Sequence, residues 1–366
     1  MMTLVNFVRT RLLIKFPLAA ATAAFLIFTG FCARPYVTLQ GSTMGTTWTA
    51  KFSSPDLLYN RDVQNIIENK LISLNKVYST YDPDSELSLL NSAAANEWIK
   101  ISPALENILL EAVNISKLTN GRYDITVGPI VNLWGFGPGS KAHIQKNLQE
   151  LGTIKPPEQH QISEALKAVG YNKLKFKPGF ILKESNNMYI DLSSIAKGAA
   201  IDSIREELIK IGINNLYFEI GGDLTVVGTS GKGSQHGWRI GIEKPLRNSM
   251  PGANLQRILL LKNMAMAGSG DYRNFFEWEG RFYSHTVDAK NGYPVDNSIA
   301  ASVVIAENCL TADAYATAFM TLSKEMIENL AELKNLEYML LLRDEKGILT
   351  EKTSQNFKSL ISLSKE

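Results

Sequence analysis

From Phe16 to Phe31 the chain runs without a charged side chain, directly behind Arg9, Arg11 and Lys15. This segment limits the fold more than any other, because a short apolar run behind positive charge reads as a secretory signal or signal anchor and is set aside from the folded body. The run is shorter than the roughly 20 residues of an ordinary spanning helix. The sequence therefore divides into a targeting or anchoring segment, 1–32, and one folded domain over 35–366, with residues 33–40 expected to link the two.

The apolar run closes on Cys32, the pattern of a bacterial lipoprotein signal in which the cysteine becomes a lipidated N-terminus, although Phe31 stands where such signals favour a small residue. The expectation is an exported protein, held at the inner membrane and facing the periplasm through a lipid on Cys32, with an uncleaved anchor or a plain cleaved signal as the alternatives. The other cysteine is Cys309, at the head of an apolar helical pattern, where it reads as a small packed hydrophobe. No disulfide is needed, since a chain of 366 residues with 45% hydrophobic and 20% charged residues can bury a sufficient core. The targeting segment carries a charge of +3 against a total of +2, so the remainder is near −1 and offers nucleic acid no electrostatic footing.

Apolar spacing predicts helices over Val63–Val77, Pro103–Leu118, Gln161–Val169 with Gly170 as its cap, Ala199–Ile211, Thr311–Leu322 and Lys324–Leu333, and a short one after the turn at Asp82. Strand-like runs are Leu216–Ile220, Leu224–Val227, Trp238–Ile242, Gln256–Leu261, Phe275–His285, Ala300–Ile305 and Tyr338–Leu342, with Asn291-Gly292 as a tight turn. Helices and strands alternate without a steady βαβ rhythm. The fold class is α+β, a single integrated mixed domain after the N-terminal segment. Pro138–Pro157 reads as an exposed excursion.

Several segments carry chemistry-bearing residues. Asp313 and Thr317 lie four apart on a helix, so a carboxylate and a hydroxyl share one face and suit a hard cation such as Mg²⁺. The plain alternative is that Asp313 sits in the first turn and favours the helix dipole. Asp191 to Gly198 (DLSSIAKG) opens a helix that Ser193 or Ser194 can cap, with Lys197 within reach of a phosphate. In Gly268–Pro294, Tyr272, Phe275 and Phe276 can pack on a planar heterocycle or belong to the core, and His285, beside Asp288, can act as a general base on a hydroxyl or be structural. Tyr78–Leu87 and Asp124–Gly137 are polar, turn-rich stretches of no decided role.

Taken together, these segments resemble the ApbE family of FAD:protein FMN transferases. The pieces run in family order from Gly41 to Leu342: GSTMGTTW, STYDPDSELSLLN, GRYDITVGPIVNLWGFG, DLSSIAKGAAID, GGDL, SGDYRNFF, YSHTVDAKNGYPV and TADAYATAFM. The resemblance implies that Met44 contacts flavin, that Tyr78, Ser79 and Thr80 line an FAD site, and that Asp124 and Lys197 hold FAD. It implies Mg²⁺ bound by the Ser194 carbonyl, Asp313 and Thr317. His285 falls nearest the reacting phosphate, with Asp288 as a rival base. The implied reaction carries FMN from FAD, the substrate, onto a threonine or serine hydroxyl and releases AMP. The acceptor pattern Asp-Gly…Ser/Thr-Gly-Ala-Thr does not occur in this chain. The expected partner is therefore another exported or membrane protein, a flavin-carrying subunit of a redox complex. Two other readings share the site: an FAD pyrophosphatase giving FMN and AMP, and a non-enzymatic flavin-binding lipoprotein.

Overall fold

Ile299–Ala306 (IAASVVIA) is buried along its whole length, which a strand achieves only when both faces of its sheet are covered. Alternate residues serve different cores. Val304 and Ala306 join one apolar cluster, whereas Ala301, Val303 and Ile305 join another. The same alternation repeats at Tyr338 and Leu340 against Met339 and Leu341. The period of two that separates strand faces thus builds two cores from one sheet. The computed structural model describes residues 36–361, apart from 54–58, 141–143, 146, 148–151, 153, 231–236, 247–253 and 273. Residues 1–32, with Cys32, lie outside the described residues.

The sheet has eight strands: β1 (Tyr36–Thr43), β2 (Thr46–Ser53), β3 (Leu216–Ile220), β4 (Asp223–Val227), β5 (Met264–Gly270), β6 (Ile299–Ala306), β7 (Glu337–Arg343) and β8 (Leu349–Thr353). Spatial order follows chain order, and every neighbouring pair is antiparallel. Apart from a 3₁₀ turn after β8, Phe357–Leu360, the other described elements are inserted between consecutive strands. Between β2 and β3 come helices α1 (Asn60–Tyr78), α2 (Glu86–Ser92), α3 (Pro103–Leu118), α4 (Gly128–Leu133), α5 (Gln159–Leu166) and α6 (Ala196–Lys210). The hairpin of Trp238–Glu243 with Leu255–Leu261 separates β4 from β5 and covers one sheet face. Two further hairpins, Phe275–Trp278 with Arg281–Ser284 and Val287–Asp288 with Tyr293–Pro294, separate β5 from β6. Helices α7 (Cys309–Thr321) and α8 (Lys324–Lys334) separate β6 from β7.

The mixed α+β class stands, and α3 takes the expected bounds, with Ser102 accepting from the Leu105 N–H and Pro103 opening the helix. Four expectations change. Residues 33–40 are not simply a link, because Tyr36–Thr43 pairs with β2 as the sheet's edge. Phe275–His285 is not one strand; Glu279 and Gly280, at φ of 49° and 76°, turn it back as a hairpin. Helix α5 ends at Leu166, so Gly170 does not cap it. Ser193 and Ser194 do not cap α6, whose N-cap is Ile195 with no side-chain bond.

Candidate active site

Helices α6 and α7 meet at their N-terminal turns, and each supplies the other's cap. Asp202 of α6 accepts the Cys309 and Leu310 N–H groups at 2.8 Å each. Asp313 of α7 accepts the Gly198 N–H at 2.9 Å. Free N–H groups at a helix start favour an anion, so a carboxylate is the natural partner in both places. Helix α7 starts at Cys309, with Asn308 also capping it, which puts Asp313 one turn inside the helix and not in its first turn. The Gly198 N–H lies four residues beyond Ser194 and bonds Asp313 instead, leaving the Ser194 carbonyl clear of that amide.

A cavity of about 520 Å³ opens at this junction. Lys197, Asp313 and Thr317 line it from the two helices, and Ser194 from the turn before α6. Asp223 and Gly268 add the sheet's contribution, and Asp124, Tyr272 and His285 come from loops. Asp313 and Thr317 do share one face, as their spacing predicts, and Thr317 is one of few α7 residues left partly exposed.

Three charges interlock at its base. The Lys197 ammonium contacts Asp223 and stands 3.4 Å from Asp313 Oδ1. Asp223 also accepts the Gly268 N–H at 3.1 Å. Burial opposes the lysine's charge, but Asp223 and then Asp313 outweigh it and hold the ammonium above the ordinary lysine range. Burial pushes the Asp313 carboxyl up to about 6, against the pull of Lys197. One ammonium thus serves two buried carboxylates, and Asp313 is left short of positive charge.

His285 is half-buried in the cavity wall. The Asn274 carbonyl lies 3.2 Å from its Nδ1 and also accepts its backbone N–H at 3.1 Å. A carbonyl only accepts, so Nδ1 carries the proton and Nε2 keeps its lone pair. Burial lowers the imidazole's pKa and keeps it neutral near pH 7. A neutral ring with a fixed tautomer is suited to taking a proton.

The remaining candidates divide. Thr80 and Tyr272 line the cavity. Asp124 lines it too, but both its oxygens are engaged: Oδ1 accepts from Thr126 and Oδ2 from the Tyr171 N–H, at 2.7 to 2.8 Å. Tyr78 and Ser79 do not line it. Tyr78 is buried in the main core at the end of α1, and Ser79 Oγ accepts the Tyr81 and Asp82 N–H groups, building the turn that presents Thr80. Met44 does not line it either; it sits at φ 47° in the β1–β2 turn, packed on the core. Asp288 faces a second cavity, where Arg122 and the Lys290 N–H take its oxygens. Phe275 packs on Phe282, and Phe276 is buried against Trp134 and Tyr283.

Sequence reasoning did not single out Asp223, Arg122 or Tyr81, all of which line the cavity. Asp223 follows Gly221-Gly222 and reads from sequence as a turn residue; only folding brings it to Lys197. Thr286 Oγ1 and Ser302 Oγ also belong to lining residues, and both are buried hydroxyls without a partner among the described residues. Such atoms are costly to leave unpaired, and a polar ligand in the cavity can complete them.

Asp313 is a buried carboxylate short of positive charge, Thr317 offers a hydroxyl on the same face, and the Ser194 carbonyl is not taken by the Gly198 amide. These all-oxygen donors fit Mg²⁺. Among the described residues, no group of three His, Cys, Asp or Glu side chains is set to hold a metal.

Comparison with known proteins agrees on one family. The model of the ApbE family matches residues 44–340. The FAD:protein FMN transferase of Vibrio cholerae serotype O1 is 34% identical over 93% of this chain and 98% of its own length. That of Haemophilus influenzae is 35% identical over 88% and 91%. Among solved structures, the flavin transferase ApbE from Vibrio cholerae superposes with a TM-score of 0.78 at 33% identity, over 89% of this chain and 99% of that one. The apo flavinyl transferase ApbE of Pseudomonas stutzeri gives 0.76 at 31% identity, over 89% and 96%.

Proposed function

The chain belongs to the ApbE family and is a transferase, and we propose that it moves FMN from FAD onto a threonine or serine hydroxyl of a separate protein, releasing AMP with the help of Mg²⁺. One observation carries this reading: His285, Lys197, Asp313 and Thr317, widely spaced in sequence, line a single cavity. The matched relatives bear the name FAD:protein FMN transferase.

In this mechanism Tyr272 offers an aromatic face to a planar ring and Thr80 a rim contact. Lys197 has three N–H donors; two face Asp223 and Asp313, and the third is available to a phosphate oxygen. Asp313, Thr317 and the Ser194 carbonyl are the residues that would hold Mg²⁺, which when bound offsets negative charge on the pyrophosphate oxygens. His285 Nε2 takes the proton of the acceptor hydroxyl. The hydroxyl oxygen forms a bond to the FMN phosphorus, the pyrophosphate P–O bond breaks, and AMP carries off that electron pair. Positioning and electrostatics supply most of the rate, because no group of this chain becomes covalently bound. Asp288, with Arg122 and Lys290 on its oxygens, is not the base in this scheme.

The test mixes the purified protein with FAD, Mg²⁺ and an acceptor domain carrying the Ser/Thr-Gly-Ala-Thr segment that the family resemblance implies. Flavin fluorescence on the acceptor after denaturing electrophoresis is the expected result. Release of FMN and AMP with the acceptor unlabelled would make the protein a pyrophosphatase.

The proposal extends to location. The positive and then apolar start of the chain supports export, with attachment to the inner membrane at Cys32 and the folded domain, 35–366, in the periplasm beside a membrane redox partner. No helix of the described residues is long and apolar enough to cross a membrane. Mass spectrometry of the mature N-terminus decides the matter; a start other than lipidated Cys32 overturns the lipid anchor.

A further inference from the structure

We propose that the second cavity, about 480 Å³ beside the first, is the groove in which the acceptor protein lays its hydroxyl-bearing segment. This rests on the transfer reading above and names how the partner is received.

The groove adjoins the reaction cavity. Arg122 and Thr321 line both. Elsewhere the wall between them is one strand thick: Val287 faces the reaction cavity and Asp288, the next residue, faces the groove. Neighbouring residues of a strand point to opposite sides, so a thin wall of this kind follows from the geometry. The Val295 N–H, on the groove side, donates to the Thr286 carbonyl, on the cavity side, at 2.9 Å. Tyr283 lines the groove, and His285, just past the end of that strand at Ser284, lines the cavity. A chain lying in the groove therefore passes within a strand's width of the proposed base.

The lining suits a polypeptide better than a second nucleotide. Its four charged side chains are paired, Arg122 with Asp288 and Arg281 with Asp296, the latter at 2.7 Å. The groove thus keeps no surplus positive charge for a phosphate. Its floor is aromatic and fixed: Trp134 stacks on Tyr283 at 5.3 Å, and its Nε1–H donates to the Gly292 carbonyl at 2.8 Å. Phe282 and Tyr293 remain 42% and 36% exposed, large apolar surface beside a polar rim. Half-exposed aromatic side chains around a rigid floor are the usual anchors of a protein contact. The fitting occupant is an uncharged stretch of small residues that carries its hydroxyl past Arg122 to the reacting phosphorus.

The experiment uses the full chain with an acceptor domain bearing Ser/Thr-Gly-Ala-Thr, and compares wild type with Phe282→Ala and Asp296→Arg. The acceptor KM should rise about tenfold or more in each, the scale of one lost interface anchor. FAD affinity should stay at the wild-type value, which also shows that the variants fold. Unchanged acceptor KM in both variants overturns the groove. FAD affinity falling as the acceptor KM rises overturns it as well, since the cavity would then be part of the nucleotide site. A wild-type protein that leaves the acceptor unlabelled overturns the transfer reading, and this groove with it.

Discussion

Asp313 and Gly198 are joined by a hydrogen bond of 2.9 Å from the glycine N–H to the carboxylate, and this bond ties the cavity's chemistry to its architecture. The carboxylate lies where the amides of α6 begin and where α7 is one turn old. A carboxylate that capped only its own helix would be held there by the helix dipole alone. Here a second helix holds it, and Asp202 returns the same service to α7. The orientation of the proposed metal ligand is therefore set by helix packing.

The crossing leaves no room at Gly198. A Cβ there would stand 2.3 Å from the Cys309 carbonyl oxygen and 2.7 Å from the Leu310 Cα, both backbone atoms. Gly198→Ala should lower stability by about 1–3 kcal/mol, the usual cost of overpacking. Alanine in a helix interior ordinarily gains up to about 1 kcal/mol over glycine. The sign is therefore decisive: a higher melting temperature for Gly198→Ala would show that the helices do not approach this closely.

Removing the carboxylate tests the cation. Asp313→Ala should lower turnover by about a hundredfold or more, the scale of several kcal/mol of charge stabilisation. Titration of Mg²⁺ followed by calorimetry should show the binding signal lost in parallel. Unchanged turnover in Asp313→Ala would remove the Mg²⁺ assignment.

How much of this could be read from the sequence depended on distance along the chain. Helix α3 was legible because its cap, its Pro103 and its apolar spacing are all local. Strand β6 was legible as a run of apolar residues, since both its faces are buried. Strand β5 was not, because Met264–Gly270 is built from small residues with weak strand preference. Strand β1 was not, because an edge strand alternates polar residues and here follows a targeting segment. At the site, the Asp313–Thr317 face was legible from a spacing of four. The contact of Lys197 with Asp223 and the removal of Asp288 to the neighbouring cavity are tertiary facts with no local signal. Met44, Tyr78 and Ser79 came from family position alone; none of them lines the cavity, and Ser79 builds the turn that presents Thr80.

His285 is expected to act on rate more than on binding. With Nδ1–H held by Asn274, Nε2 is the only ring position able to take a proton. His285→Ala should reduce the transfer rate by about 10²–10⁴, the range for a positioned general base, with FAD affinity nearly unchanged. A variant that loses FAD affinity while keeping its rate would make His285 a binding residue. Asp288→Asn should behave oppositely, weakening the contact with Arg122 and leaving the proton transfer in place; a rate loss as deep as that of His285→Ala would restore Asp288 as the base.

The pH dependence follows from Asp313. Burial raises its carboxyl from 3.8 to about 6, with Lys197 pulling the other way. A group raised on folding favours the protonated native state, so its stabilising contribution is full below about pH 4 and is lost as pH rises through about 6. The metal-free protein should therefore gain stability, relative to Asp313→Asn, as pH falls from about 7 to about 5. The comparison with Asp313→Asn isolates this group, since burial raises Asp124, Asp202 and Glu219 as well. The cation needs the ionised carboxylate, so its affinity should run the other way and fall by up to about tenfold per unit below about pH 6. Thermal melts with and without Mg²⁺ across this range read both trends at once. A Mg²⁺-induced shift in melting temperature that stays constant down to about pH 5 would show that Asp313 does not bind the metal.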